Sequence, residues 1–440
     1  MSHMTESGAL ESPATLAAEA DLARREAEYG AFVEDNLRRN YIAHFAHGML
    51  GMTGFRLIFA PTFVPAYLFS ITGSATMVGL GQALQQLGSV LSPIIGATQV
   101  EHRQRVMPVA VRIGLGMRLP LLLLALSGWL MTGAPLLLVT MVLLFAFGFF
   151  SGSQRVVFQM MLAKVIPIAK RGRLQAWRNF AGGGLAALIS YFAGTWFIEH
   201  DVLGNGYAAV FLLAFILTAI GLFVLQRLMI EPLPPTVRPR MGMRERLREL
   251  PGLFTDRDYR HFVLAQALAI AGRMSLPFCI LYAGRSNELS GAYIGLLSLA
   301  FLGADTLSNL VWGPIGDRKG FRLTFMLALV VWIAALVLLI ESDSVAMTFL
   351  VFAGLGASQS GYMMSASTLV LEFGARDDIP MRLALSTTTE TAIASLGPLA
   401  GGVIAASFGY IPLFWVSIAF LVAALATLIL IVREPRTRAA

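Results

Sequence analysis

Twelve apolar stretches, each long enough to cross a lipid bilayer as a helix, constrain this chain more than any other feature. A hydrocarbon core takes about 20 residues of helix, and every backbone polar group inside it must be satisfied within the segment. The stretches fall at 41–69, 76–98, 107–131, 134–162, 174–198, 207–229, 260–284, 290–312, 321–341, 345–371, 382–406 and 410–432, six on each side of a hydrophilic segment at 231–258. Over 440 residues, 56% are hydrophobic and 13% charged, which is too little charge to cover a soluble surface of that size. The expected fold class is all-α and integral to the membrane: twelve transmembrane helices in two pseudo-symmetric six-helix bundles. The expected division is a cytoplasmic tail at 1–40, a bundle at 41–230, a linker at 231–258, a bundle at 259–433 and a tail at 434–440. Met1–Met4, MSHM, read as a cloning remnant, and the polar residues that follow do not resemble a signal peptide.

Charge placement orients the bundles. Arg103, Arg105, Lys164, Lys170, Arg171, Arg173, the Arg238–Arg260 cluster, Arg318, Lys319, Arg322, Arg376 and Arg382 all fall in or beside one set of loops. The alternate loops (70–75, 132–133, 199–206, 285–289, 342–344 and 407–409) hold Arg285 and no other Lys or Arg. Because Lys and Arg are retained in the cytoplasm, both termini and the linker are expected inside, in a bacterial inner membrane. An even number of spans requires the same side for both ends. The net charge of +7 is then a membrane-orienting and lipid-facing feature, with no nucleic-acid partner implied. Within the linker, MRERLREL is compatible with a short helix on the membrane surface, or with a plain tether. One cysteine, Cys279, excludes a disulfide framework and a cysteine zinc site, and the six histidines lack metal-ligand spacing. No cofactor is implied.

The two halves echo each other at an offset of 217 residues. Phe45 falls on Phe262, Arg56 on Arg273, Gly96 on Gly313 and Arg105 on Arg322. The offset puts one arginine near the middle of the first span and one near the middle of the seventh. It also shows where symmetry fails, since Asp305 falls opposite Gly88 and Asp317 opposite Val100.

Between the eighth and ninth spans lies Gly313-Pro-Ile-Gly-Asp317-Arg318-Lys319-Gly320-Phe-Arg322. This resembles the signature loop of the major facilitator superfamily, Gly-x-x-x-Asp-Arg-x-Gly-x-Arg. The first-half copy, Gly96 to Arg105, is degraded: its acid is displaced to Glu101 and its second glycine is missing. The resemblance implies alternating access between the two bundles around a central cavity, with the first and seventh spans lining it. It assigns Gly313, Asp317, Arg318, Gly320 and Arg322 to a gating loop, and marks the chain as a divergent member.

Charge in hydrocarbon is costly, so it faces a cavity or a partner. Arg56 and Arg273 resemble the symmetry-related pair that clamps an anion in organophosphate–phosphate antiporters, and a guanidinium fits carboxylate or phosphate well. The alternative is that each arginine is neutralised by an internal acid, for example Asp305 with Arg273. Asp305 and Glu390 are the candidate coupling acids, with structural pairing as the competing role. Arg155, about two turns from the cytoplasmic end of the fourth span, reads as a structural or gating residue. Gln85, Gln159, Gln359 and Tyr362, along with Gln82, Gln86 and Gln154, are neutral cavity candidates, although some glutamines must only join helices. His44 and His47 share one helix face and read as polar residues near a helix end.

Counting Arg56, Arg118, Arg155 and Arg273 against Asp305 and Glu390 leaves two surplus positive charges inside the bundle. The expected function is therefore secondary active transport of a small organic anion or anion-headed amphiphile, coupled to protons or to exchange. The substrate and lipid are the expected partners, and the protein is expected to be a monomer. A proton-driven exporter of hydrophobic compounds, with structural arginines, is the alternative. A lipid-modifying enzyme would need a nucleophile or acid–base cluster at one interface, which the sequence does not show. A sensor or scaffold would leave the duplicated midplane charge without a purpose.

Overall fold

The computed structural model describes residues 13–236, 257–372 and 379–432. The MRERLREL stretch, Arg376 and the tail at 434–440 lie outside the described residues. Every expected span is helical, and no strand occurs among the described residues. Ten helical segments among the described residues are long and apolar enough to cross a membrane. Two further helices of membrane length, Ala75–Val100 and Val345–Leu369, complete the set of twelve; the glutamines and serines they carry lower their hydropathy. The protein is a multi-pass integral membrane protein of the expected fold class. An additional helix, Pro13–Asp35, precedes the first span, and Tyr29 on it donates to the backbone carbonyl of Lys164 at 2.8 Å.

The first and seventh spans are both interrupted, within about one helical turn of each other in the repeat. The first runs Leu37–Phe59, breaks at residues 60–62 and resumes as Phe63–Thr72. The seventh runs Arg257–Gly272, tightens into a 3-10 turn at Arg273–Ser275 and resumes as Leu276–Ala283. Pro61 and Pro277 sit at the breaks, where a ring without an N–H removes a helical hydrogen bond. Irregular backbone at membrane depth is tolerated where it borders a cavity, and both breaks do so.

The signature segment is not a loop. Gly313–Lys319 are the last turns of a helix, Asn309–Lys319, that continues the eighth span. Reversal is confined to Gly320, whose φ of 91° favours glycine, and the ninth span begins at once as Phe321–Ile340. Arg322 then caps the twelfth span, donating to Leu428 O at 2.9 and 2.7 Å and to Ile429 O at 3.1 Å.

The halves meet chiefly through spans two with eleven and five with eight. Call the face bearing the connections at 73–74, 199–205 and 284–290 the distal face, and the opposite one, where residues 37 and 432 lie, the terminal face. Near the distal face the crossings are backbone on backbone. A Cβ on Gly79 would lie 2.3 Å from the Pro398 carbonyl, and one on Gly194 would lie 2.4 Å from both Gly291 O and Gly295 Cα. Glu199 accepts from Ala292 N at 2.8 Å, and Ser298 donates to Thr62 Oγ1 at 2.7 Å, also between halves. This closes the distal face and leaves the central cavity extending toward the terminal one.

Candidate functional site

The cavity between the halves has two lobes that share Phe59, Pro61, Arg273, Leu276, Gln359 and Met363. One lobe, of about 230 Å³, adds Gln82, Gln86, Arg155, Thr387 and Glu390 from spans two, four and eleven. The other, of about 500 Å³, adds Arg56, Asn179, Asp305 and Asn309 from spans one, five and eight. Together they offer the space of a drug-sized ligand site with apolar walls and a few converging polar groups.

Each midplane arginine has its own acid. Arg56 Nη1 lies 2.7 Å from Asp305 Oδ2 and also donates to Thr306 Oγ1 at 3.1 Å. This pair crosses between the halves. Arg273 Nη1 lies 3.8 Å from Glu390 Oε1, within the second half, and its guanidinium sits 5.5 Å from the Trp332 ring and 5.2 Å from the Tyr362 ring. Tyr362 donates to the same Glu390 oxygen at 3.3 Å. At 3.8 Å Arg273 and Glu390 are an ion pair without a hydrogen bond, so this contact is the looser of the two. The pairing of Asp305 with Arg273 weighed from the sequence does not occur; span eight packs on spans one and five and presents Asp305 to Arg56 instead.

Arg155 is the exception. It is exposed to the first lobe and makes no hydrogen bond or ion pair with any described residue. Three cavity arginines thus face two acids, a surplus of one rather than the two counted from the sequence. The difference is Arg118, which is fully buried inside the first bundle. It donates to Thr218 O and Gly114 O at 2.7 Å each and lies 5.3 Å from the Phe55 ring, so carbonyl dipoles compensate it.

Among the neutral candidates, Gln359 lines both lobes, and its buried Oε1 accepts no hydrogen bond from any described residue. Gln82 and Gln86 face the cavity, whereas Gln85 is buried against span four, with Gly148 close to its carbonyl. Gln159 is exposed farther along span four and lines neither lobe, and Tyr362 sits behind Glu390 as a buried support. His44 and His47 are core residues packed on Phe158 at 5.3 and 5.0 Å between ring centroids. The signature residues Asp317, Arg318 and Lys319 are exposed beyond the cavity, at the terminal face.

Several functional positions were not singled out from the sequence. Asn179 and Asn309 line the second lobe, and the buried Thr306 accepts from Arg56 behind it; their signal was a polar side chain on an otherwise apolar helix face. Arg178, near the start of the fifth span, is 6% exposed with its guanidinium 4.6 Å from the Phe158 ring. Lys164 reaches Glu231 Oε1 and Gln104 O at 2.6 Å each, and Glu231 accepts from Val106 N at 2.6 Å and Met107 N at 2.9 Å. The carboxylate therefore satisfies the free amides that open the third span.

A sequence profile of the Major Facilitator Superfamily matches residues 262–440, the half that carries the intact signature. Solved structures extend the likeness to the whole bundle. A crystal structure of a mutant of the nucleoside transporter NupG aligns with a TM-score of 0.71 at 11% identity, covering 89% of this chain and 99% of that one. The second half of the chain thus resembles the major facilitator superfamily in sequence, and the chain as a whole shares the fold of these solved transporters. A second structure, that of the human organic anion transporter MFSD10 (TETRAN), aligns with a TM-score of 0.61 at 16% identity, again covering 89% and 99%. Curated relatives include the multidrug resistance protein MdtG of Salmonella choleraesuis (strain SC-B67), 28% identical over 147 residues, which are 32% of this chain and 36% of that protein. MdtG of Escherichia coli (strain 55989 / EAEC) is 24% identical over 164 residues, covering 36% and 40%. The chain thus aligns with little more than a third of the length of these relatives.

Proposed function

We propose that this protein is a secondary transporter of the major facilitator superfamily that carries a small organic anion, or an amphiphile with an anionic head, by alternating access. The observation that carries the reading is the cavity charge: Arg56, Arg155 and Arg273 against Asp305 and Glu390. A cavity with a surplus guanidinium favours a negative guest, because its planar donors pair with a carboxylate, sulfonate or phosphate. The closed distal face and the cavity toward the terminal face fit one end state of a rocking cycle. With the termini cytoplasmic, as the basic loops indicate, that state faces inward, and the chain resides as a monomer in a bacterial inner membrane.

Asp305 and Glu390 are the proposed coupling acids. Protonation of Asp305 releases Arg56 and, with it, the link between spans one and eight. Binding is shared between the halves, and proton coupling sits in the second. Gly313, Asp317, Arg318, Gly320 and Arg322 tie the ends of spans eight, nine and twelve, so that the second bundle moves as one body.

A second reading, proton-driven export of hydrophobic compounds, is favoured by the ion-paired state of Arg56 and Arg273 and by the multidrug resistance relatives. Counterflow in proteoliposomes, run with a panel of organic anions and neutral amphiphiles, separates the two. Arg56→Gln and Arg273→Gln are each expected to reduce anion counterflow. Retention of every anion flux in both variants, together with unimpaired flux of neutral compounds, would decide for the exporter.

A further inference from the structure

We infer that the substrate is a monoanion whose charged group is anchored by Arg155, with Arg56 and Arg273 acting as internal counterions. The inference rests on the transport reading and names the substrate class within it. Arg56 and Arg273 enter the cavity already committed: one is held at 2.7 Å by Asp305, the other at 3.8 Å by Glu390 and stacked near two aromatic rings. An anion placed between them must compete with a resident carboxylate for each. Arg155 has no such competitor, and its five N–H donors are not engaged by any described residue.

The surroundings of Arg155 define the rest of the guest. Gln82 and Gln86 on span two, Gln359 on span ten and Thr387 on span eleven give neutral polar residues in the same lobe. Phe59, Ile270, Met274 and Leu276 form an apolar wall opposite them. One free guanidinium neutralises one negative charge; a dianion leaves its second charge uncompensated beside Glu390. The geometry therefore fits one anionic group on an apolar body. Arg155 belongs to the first half, while Gln359 and Thr387 belong to the second, so a ligand spanning them draws span four toward spans ten and eleven. That movement narrows the cavity on the terminal side.

Three probes of one shape test the assignment: naphthalene-2-sulfonate, naphthalene-2,6-disulfonate and neutral naphthalene-2-sulfonamide. Binding is measured by ligand-dependent thermal stabilisation of the purified protein at constant ionic strength, in the parent and in Arg155→Gln and Arg155→Lys. The monosulfonate is expected to bind at least about tenfold more tightly than either analogue. Arg155→Gln should abolish its preference over the sulfonamide, and Arg155→Lys should keep part of it. Equal affinity for mono- and disulfonate, an unchanged preference in Arg155→Gln, or no monosulfonate binding by the parent protein each overturns the inference. Counterflow with the same probes keeps the two claims apart. Arg155-dependent binding without flux overturns transport and leaves the subsite standing, whereas flux that ignores Arg155 does the reverse.

Discussion

Arg56 of the first span and Asp305 of the eighth meet at 2.7 Å across the boundary between the two halves, although the internal repeat places a glycine, Gly88, opposite Asp305. The duplicated architecture thus contains a bridge that only one copy could supply. Its side chains are 20% and 16% exposed, so the contact is partly shielded from solvent. A double-mutant cycle of Arg56→Gln and Asp305→Asn should show coupling of about 1 kcal/mol or more in thermal unfolding. Additive effects would mean that the bridge contributes nothing to holding the halves together.

Arg118 should behave unlike the cavity arginines. It is held by two helix carbonyls at 2.7 Å inside the first bundle, so Arg118→Gln leaves buried acceptors poorly satisfied. A loss of roughly 1–3 kcal/mol of stability is expected. The relative affinity for mono- and dianionic probes should not move, because the residue lies outside both lobes. A changed charge preference would return Arg118 to the binding site.

Glu231 and Lys164 form an enclosed ion pair at the terminal face, with side chains 8% and 9% exposed. Glu231→Gln keeps an acceptor for the amides of Val106 and Met107 but strips Lys164 of its counterion. The expected result is a lowered Tm, with a loss of about 3 kcal/mol as the upper bound for breaking a buried pair from one side. Lys164→Met combined with Glu231→Gln should recover part of it. No recovery would show that the carboxylate acts on the helix amides alone.

The crossing at Gly194 can be tested by labelling. Cys279 is the single cysteine and is buried, so Cys279→Ser gives a cysteine-free background in which Ser298→Cys reports on the closed face. Ser298→Cys should react slowly with a membrane-impermeant maleimide. Adding Gly194→Leu, whose side chain has no room against Gly291 and Gly295, should accelerate labelling about tenfold by shifting the population of states. An unchanged rate would remove the crossing from the closure mechanism.

Gly320 carries the reversal after the signature helix at a φ of 91°. Gly320→Ala should cost about 1–3 kcal/mol through backbone strain alone. A neutral substitution would mean the turn has a second accessible geometry.

The span pattern was legible because apolar length and charge asymmetry are properties of contiguous sequence. The depth of Arg56 and Arg273 followed from the same count. Their partners did not, since Asp305 and Glu390 reach them through helix rotation and packing between spans that the sequence separates by more than a hundred residues. Arg155 illustrates the same limit: distance from the membrane edge was readable, but not which side of span four faces the cavity. The signature segment misled in a different way. Glycines and charges at 313–320 read as a loop, yet seven of those residues continue the helix and one glycine makes the turn.

The closed distal face consists of helix backbones lying directly against one another at Gly79 and Gly194. A seal of that kind has no side chain able to swing aside and admit a single molecule. It parts only when entire helices separate, and both crossings must yield in the same movement. Such a barrier resists slippage: ions and water cannot leak past it by local fluctuation, so a gradient would be dissipated only by complete turnovers of the cycle.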